Sequence, residues 1–414
     1  ARPPESIAAP TALTHLVMVC DSAQREASRQ HLAALLRDHH RSVPDEHTTH
    51  VRVDVGGFRL RWELHTEFVS WTFQVPLASD VLLDTRSPPT AAEEVPQAWL
   101  AALPGHSLAC IHLWIVQTAQ CGPGGLAQVV EHMLNTDTLA GSLVHRGQTQ
   151  VCTDFAIHAD GFSRMVLLAG GMTPRRLGRL VQRLLEIETY RMAALLGLPA
   201  ARDAANVLAF AERELAELAD AIRTANRDAE PALLDRLTRL AGQVESQYAA
   251  THSRFSASSA YFELVDRRIQ DIAESRLAGM QTIREFMDRR LTPARSTCEW
   301  ATRRQDALSQ RVSRMSNLLR TRVEIEQQQS SQALLTTMNH RQDLQLQMQS
   351  TVEGLSVAAI TYYIVGLVSY LAKGAQKLGW PLSPETTAAV AIPVVAVGVW
   401  WSLRRLHHRV FRKH

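Results

Sequence analysis

GLSVAAITYYIVGLVSYLA, residues 354–372, and TTAAVAIPVVAVGVWWSL, residues 386–403, decide how this chain is read. Neither stretch contains Asp, Glu, Lys or Arg. At about 1.5 Å of rise per residue, each has the length that a helix needs to cross a hydrocarbon core of roughly 30 Å. Two buried core helices are the competing explanation; a membrane hairpin anchoring an otherwise polar chain to a lipid bilayer is the expectation. Arg404, Arg405, Arg409, Arg412 and Lys413 follow the second stretch, whereas the turn between the two carries only Lys373 and Lys377 against Glu385. The positive-inside bias then places both termini and the large polar region in the cytoplasm.

Upstream, residues 173–353 read as helix. Thr173-Pro174 opens the region with an N-cap and a proline at the first helical position. Leu208, Leu215, Leu218 and Ile222 fall on one stripe, and Leu233, Leu237, Leu240, Val244 and Tyr248 on a second. A third runs through Phe262, Val265, Ile269, Ile272, Met280, Ile283 and Met287. Thr292-Pro293 is expected to open a last helix, free of Gly and Pro up to Gly354, that would extend about 90 Å. Leu308, Val312, Met315, Leu319 and Val323 give it a seam for neighbouring helices. Around 326–349 it turns Gln-, Ser- and Thr-rich, which suits a helical bundle better than a lone helix.

Residues 1–172 read as α+β. HLVMVC (15–20) predicts a buried strand, and Asp21 or Ser22 predicts the cap of a helix running to about Arg41. VRVDV and FRLRWELH flank Gly56-Gly57, a hairpin signal. A helix is expected after Thr90 and a strand at LACIHLWIV (108–116); another helix should follow the Gly124-Gly125 break. Three strands broken at Arg146-Gly147 and Asp160-Gly161 then predict an antiparallel meander. The division expected is an α+β domain (1–172), a helical stalk (173–353), a transmembrane hairpin (354–403) and a basic tail (404–414).

Lys and Arg number 44 against 41 for Asp and Glu, which gives no global case for nucleic-acid binding. Cys20, Cys110, Cys121, Cys152 and Cys298 share no CxxC spacing and read as reduced thiols of a cytosolic domain. The first fifteen residues hold no apolar run behind a basic start, so no secretory signal is expected.

Candidate chemistry is sparse. On the strand 58–67, Arg59, Arg61, Glu63, His65 and Glu67 would share one face, and His65 with Glu67 are candidate metal ligands. The alternative is a solvated, charge-paired sheet face. Asp154 and His158 form a second candidate pair, beside a turn at Asp160. The glycine-rich CGPGGLAQ (121–128) lacks the Lys-Ser/Thr of a P-loop and the dinucleotide fingerprint. With no nucleophile elbow, HExxH pair or kinase set, the chain is not expected to be an enzyme, and no motif identifies a cofactor. In the first apolar stretch Ser356, Tyr363 and Tyr370 recur every seven residues, so a symmetric bundle would make rings of hydroxyls from them. Interhelical contacts and interfacial anchoring are the competing roles. Glu353 would sit at the inner mouth of such a bundle.

FRLRWELHTEFVSWTF (58–73), TDFAIHADGFSRMVLLAGGMTPRRLGRLVQRLLEIETYRMAALL (153–196), LLRTRVEIEQQQ (318–329) and TVEGLSVAAITYYIVGLVSYLAKG (351–374) resemble a bacterial family of uncharacterised membrane-anchored proteins. That resemblance implies the bacterial inner membrane as location. The order of elements is also similar to that of CorA-type divalent-cation channels. This second likeness implies a ring of identical chains, commonly a pentamer, with the first transmembrane helix lining the pore. The Gly-Met-Asn selectivity motif of those channels is absent, and Tyr370-Leu371-Ala372-Lys373-Gly374 stands in its place. Lys373 at an outer mouth would repel a cation. A homo-oligomeric ion channel or transporter is therefore the leading functional expectation. A membrane-anchored scaffold that binds a partner protein is the second, and a metal-dependent enzyme the third.

Overall fold

The computed structural model describes residues 5–78, 88–123, 125–145, 147–376 and 383–410. The sequence readings at Gly124, Arg146, Lys377, Arg412 and Lys413, and at the side chains of Arg404 and Arg409, lie outside them. The chain forms two compact units, residues 1–317 and 318–414.

Among the described residues the first unit is built on a nine-stranded mixed sheet. Its strands are β1 (Thr11–Val19), β2 (His50–Asp54), β3 (Arg59–Leu64), β4 (Phe68–Pro76) and β5 (His106–Val116), then β6 (Ala140–Val144), β7 (Thr149–Thr153), β8 (Ser163–Leu168) and β9 (Ser275–Arg276). The spatial order is β2-β3-β4-β1-β5-β8-β7-β6-β9. Gly56, at φ +101°, turns the β2–β3 hairpin, as the Gly-Gly signal predicts. β6, β7 and β8 form the expected antiparallel meander. Its last strand lies parallel to β5, the parallel pairing that makes the sheet mixed.

Successive side chains of β1 serve opposite faces. Ala12, Leu16 and Met18 pack with α1 (Ser22–Asp38), α2 (Gln97–Ala101) and α3 (Gly125–Met133), and Leu13 and Val17 pack with α4 (Pro174–Leu195). Asp21 caps α1 as expected, in a capping box with Gln24. The helix expected after Thr90 is shorter: residues 91–95 form turns, and α2 begins only after Pro96. α5 (Gly197–Thr224) and α6 (Glu230–Ile272) follow α4, and α6 joins α4 in the core. Gly178 lets the N-terminal segment lie against α4, because a Cβ there would meet the Glu5 carbonyl oxygen at 1.7 Å. All five cysteines are free, and Cys20, Cys121, Cys152 and Cys298 are buried.

Two helix boundaries differ from expectation. The stripe from Phe262 to Met287 belongs to two helices, because Ala273 adopts φ +46° and ends α6. The last long helix, α7, spans Ile283–Gln376, so Pro293 lies inside it and does not open it. Its start is set by a capping box: Thr282 Oγ1 accepts from the Glu285 amide at 3.1 Å, and Glu285 accepts from the Thr282 amide at 2.9 Å. Glu274 also accepts from the Ile283 and Arg284 amides, at 3.1 and 2.9 Å. Proline inside a helix costs about 3 kcal/mol. Here Phe286, Met287, Leu291 and Ala294 are buried on both sides of Pro293 and hold the helix across it.

The second unit comprises the rest of α7 from Leu318 and α8 (Pro384–Val410). Both α7 and α8 contain a segment long and apolar enough to cross a membrane.

Candidate functional site

Cross-strand register brings polar side chains together on the α4 face of the sheet. Arg61 lies beside Thr72 and Thr72 beside His15, while one step along the strands Glu63 faces Ser70. α4 answers with Gln182, Leu185, Glu186, Thr189 and Tyr190, a stripe at helical spacing. Between them is a cleft of about 570 Å³, to which Arg268 of α6 and the His65 and Phe68 rings also contribute.

His15 anchors the floor. Thr189 Oγ1 donates to the Leu185 carbonyl at 2.8 Å, so it accepts from His15 Nε2–H at 3.2 Å. Nδ1 is then the acceptor for the Thr72 hydroxyl at 2.8 Å. Burial above all, with the Arg61 charge second, lowers the His15 pKa to about 3, so the ring is neutral. Burial and the neighbouring Glu186 push Tyr190 up to about 12. Both groups keep one protonation state across the physiological range, which suits hydrogen-bonded recognition and not proton transfer.

Charges line the cleft in pairs. Arg61 meets Glu63 at 2.8 Å, with little of either side chain exposed. Arg268 pairs with Glu186 and reaches Asp271 at 3.0 Å. Ion pairs withdrawn from water add little net stability, because desolvation offsets their attraction. Their consequence is a lining of fixed donors and acceptors with no net charge. The Arg61 Nε is buried and makes no hydrogen bond among the described residues.

The two residues of the first metal candidate take different partners. β3 ends at Leu64, so the shared face does not extend to position 67. His65 stacks on Phe68 with ring centroids 4.5 Å apart and lines the cleft. Glu67 instead accepts from Arg254 at 2.6 Å and from the Tyr261 hydroxyl at 2.9 Å, both on α6. The second candidate pair is brought together, but by a loop. β7 ends at Thr153 and Phe155 adopts φ +53°, which folds His158 Nε2 back to 2.8 Å from Asp154 Oδ2. Asp154 also accepts from the Asn135 amide at 2.7 Å and the Ala156 amide at 3.1 Å, so it organises the loop. No group of three or more His, Cys, Asp or Glu side chains placed to hold a metal occurs among the described residues.

Glu353, Ser356, Tyr363, Tyr370 and Lys373 all lie on α7 in the second unit. Ser356 Oγ donates to the Val352 carbonyl at 2.9 Å. Tyr363 is 72 % and Tyr370 75 % exposed, and the Lys373 ammonium sits 5.7 Å from the centre of the Tyr370 ring. The sequence signal of charged odd positions found Arg61, Glu63 and His65. It missed His15, Thr72 and Thr189, whose roles depend on contacts up to 174 residues apart.

A family model described as "Protein of unknown function (DUF3422)" matches residues 1–410, and the chain belongs to that family. No curated protein matches the chain, and no solved structure does.

Proposed function

We propose that this DUF3422 member is a membrane-anchored homo-oligomer whose first apolar segment, 354–372, surrounds a symmetry axis along which ions pass. The observation that carries the reading is the uncovered apolar surface of the second unit. Leu318, Leu334, Leu335, Met338 and Met348 stand exposed along α7, and a Cβ at Gly366 would meet open space. Lipid and further copies of the chain are the covers that suit these surfaces. Between 327 and 352 the only charged side chains apart from His340 are Arg341 and Asp343. In a symmetric bundle each residue meets its own kind, so a face made of Gln, Ser, Thr and Leu avoids self-repulsion.

In this reading both apolar segments cross the bacterial inner membrane, with the first unit and both termini in the cytoplasm. Trp400, Trp401 and Arg405 then mark the inner interface; the Arg405 guanidinium lies 5.0 Å from the centre of the Trp401 ring. Glu353, Ser356, Tyr363 and Tyr370 face the axis and Lys373 stands at its outer mouth. By analogy with CorA-type rings the expected assembly is a pentamer. Purified protein in liposomes should pass monovalent or divalent ions, and Tyr363→Ala should change the flux several-fold. Sealed liposomes under every gradient tested would overturn conduction.

A second reading, a non-conducting anchored scaffold, is favoured by one feature. Lys373 stands where a cation-selective mouth needs an attractive group. It predicts a partner protein that co-purifies through the first unit and no flux. Isolation of the pure homo-oligomer alone, repeatedly and from native membranes, would count against it.

A further inference from the structure

A second cleft of the first unit, of about 690 Å³, lies where the start of α4 meets the β6–β7 turn and the end of α6. Arg176, Arg179 and Arg183 line it at spacings of three and four, so all three occupy one face of α4. His145 and Gln148 form the opposite wall. That wall is fixed by close backbone contact: a Cβ at Gly170 would meet the Gln148 carbonyl oxygen at 1.7 Å.

The cleft carries excess positive charge. Asp271 is the acidic residue in its lining, and Arg268 already holds that carboxylate at 3.0 Å. Arg183 is anchored: it donates to the Asp271 backbone carbonyl at 2.7 Å, and its Nε lies 3.9 Å from the Asp271 carboxylate. Arg176 and Arg179 are exposed, and neither makes an ion pair among the described residues. Like charges at these helical spacings repel and destabilise the helix. The first turn of α4 contains no acidic residue to offset them. Three arginines lining one cleft, with Met172, Leu180 and Ile272 also in its lining, match a multiply charged oxyanion attached to a less polar body.

We infer that this cleft binds a phosphate-bearing ligand, held by Arg176, Arg179 and Arg183. A soluble phosphoester and the headgroup of an anionic phospholipid present the same chemistry. The site goes beyond the membrane reading and stands whether or not the assembly conducts.

The test uses the full chain in phosphatidylcholine discs, with pyrophosphate as the probe, followed by calorimetry at low and moderate salt. Wild type should bind one pyrophosphate per chain, more weakly as salt rises. Arg176→Gln with Arg179→Gln should weaken that binding at least ten-fold. The exposed neighbour Arg175 lies outside the cleft lining, so Arg175→Gln should have little effect. Lysine at both positions should restore only part of the affinity, since it keeps the charge but loses the bidentate fork. Adding phosphatidylglycerol to the discs separates the sources. Competition with pyrophosphate in wild type assigns the site to a headgroup, and its absence assigns the site to a soluble phosphoester. No binding of pyrophosphate by wild type, or equal binding by the Gln pair, would overturn the inference.

Discussion

The two units of this chain treat the same residue types in opposite ways. In the first unit Trp62 and Trp71 are fully buried and Trp114 is 1 % exposed, with Trp300, at 47 %, the exposed exception. After Leu318 the described tryptophans are surface: Trp400 and Trp401 are 51 % and 59 % exposed. Glycine follows the contrast in part: Gly178 is pressed against the backbone of Glu5, though Gly171 and Gly242 of the same unit face open space, whereas Gly354, Gly366, Gly374 and Gly398 all have nothing within 4 Å of a would-be Cβ. The first unit satisfies its apolar surface from within one chain, by strands and helices far apart in sequence. The second has two long helices whose described apolar residues stand largely exposed. Hydrophobicity alone therefore does not say whether a residue is buried; the supply of partners does.

The sharpest way to break this contrast is to remove a buried ring. Trp62 lies in the α1-side core and donates its indole N–H to Ser28 Oγ at 3.0 Å. Trp62→Ala should destabilise the first unit by about 3–5 kcal/mol in denaturant unfolding, through lost burial and the cavity left behind. A loss under about 1 kcal/mol would mean that this core is not the cooperative unit described.

Acid should weaken the first unit next. His15 and His112 are held at about 3 and about 4, chiefly by burial, against an ordinary 6.5 in an unfolded chain. Between those values the unfolded state binds more protons, so stability must rise with pH in that window. It is fully present above about 6.5 and is lost as pH falls toward 4, by on the order of a few kcal/mol. His15→Gln should flatten part of that slope. An unfolding free energy constant from pH 7 to 4 would contradict neutral burial of both rings.

The smallest effect on unfolding is expected on the exposed face. Leu335→Gln and Met348→Gln should change the stability of the first unit by less than about 0.5 kcal/mol. They should nevertheless lower the assembled mass read by light scattering in detergent. A loss of stability as large as that of Trp62→Ala would show that these side chains already have partners within one chain.

Much of the fold is legible locally. Gly56-Gly57 gives the first hairpin, Asp21 gives the α1 cap, and Asp160-Gly161 gives a turn of the meander. The misreadings share a cause. Pro293 looks like a helix start because proline favours the first turn, but packing around Phe286 and Leu291 carries the helix through it. The Thr282–Glu285 capping box, which does mark the start, stands in the sequence as Thr-Ile-Arg-Glu. β4 alternates Val69, Trp71 and Phe73 with Ser70, Thr72 and Gln74, a strand period that stands in the sequence although most of both faces is buried. Of the cleft, only the face of β3 is visible in sequence, since alternation is a property of one strand.

By itself the sequence determined the two apolar segments, the polar helix before them and the main hairpins. Each of these depends on length, composition or spacing within a few turns of chain. Only the tertiary structure decided that β1 sits between β4 and β5, that β8 runs parallel to β5, and that His15 meets Thr189 across a cleft. Those choices come from long-range packing, in which the loop-closure entropy of distant segments is offset by the apolar surface they bury together. No window along the chain contains that sum.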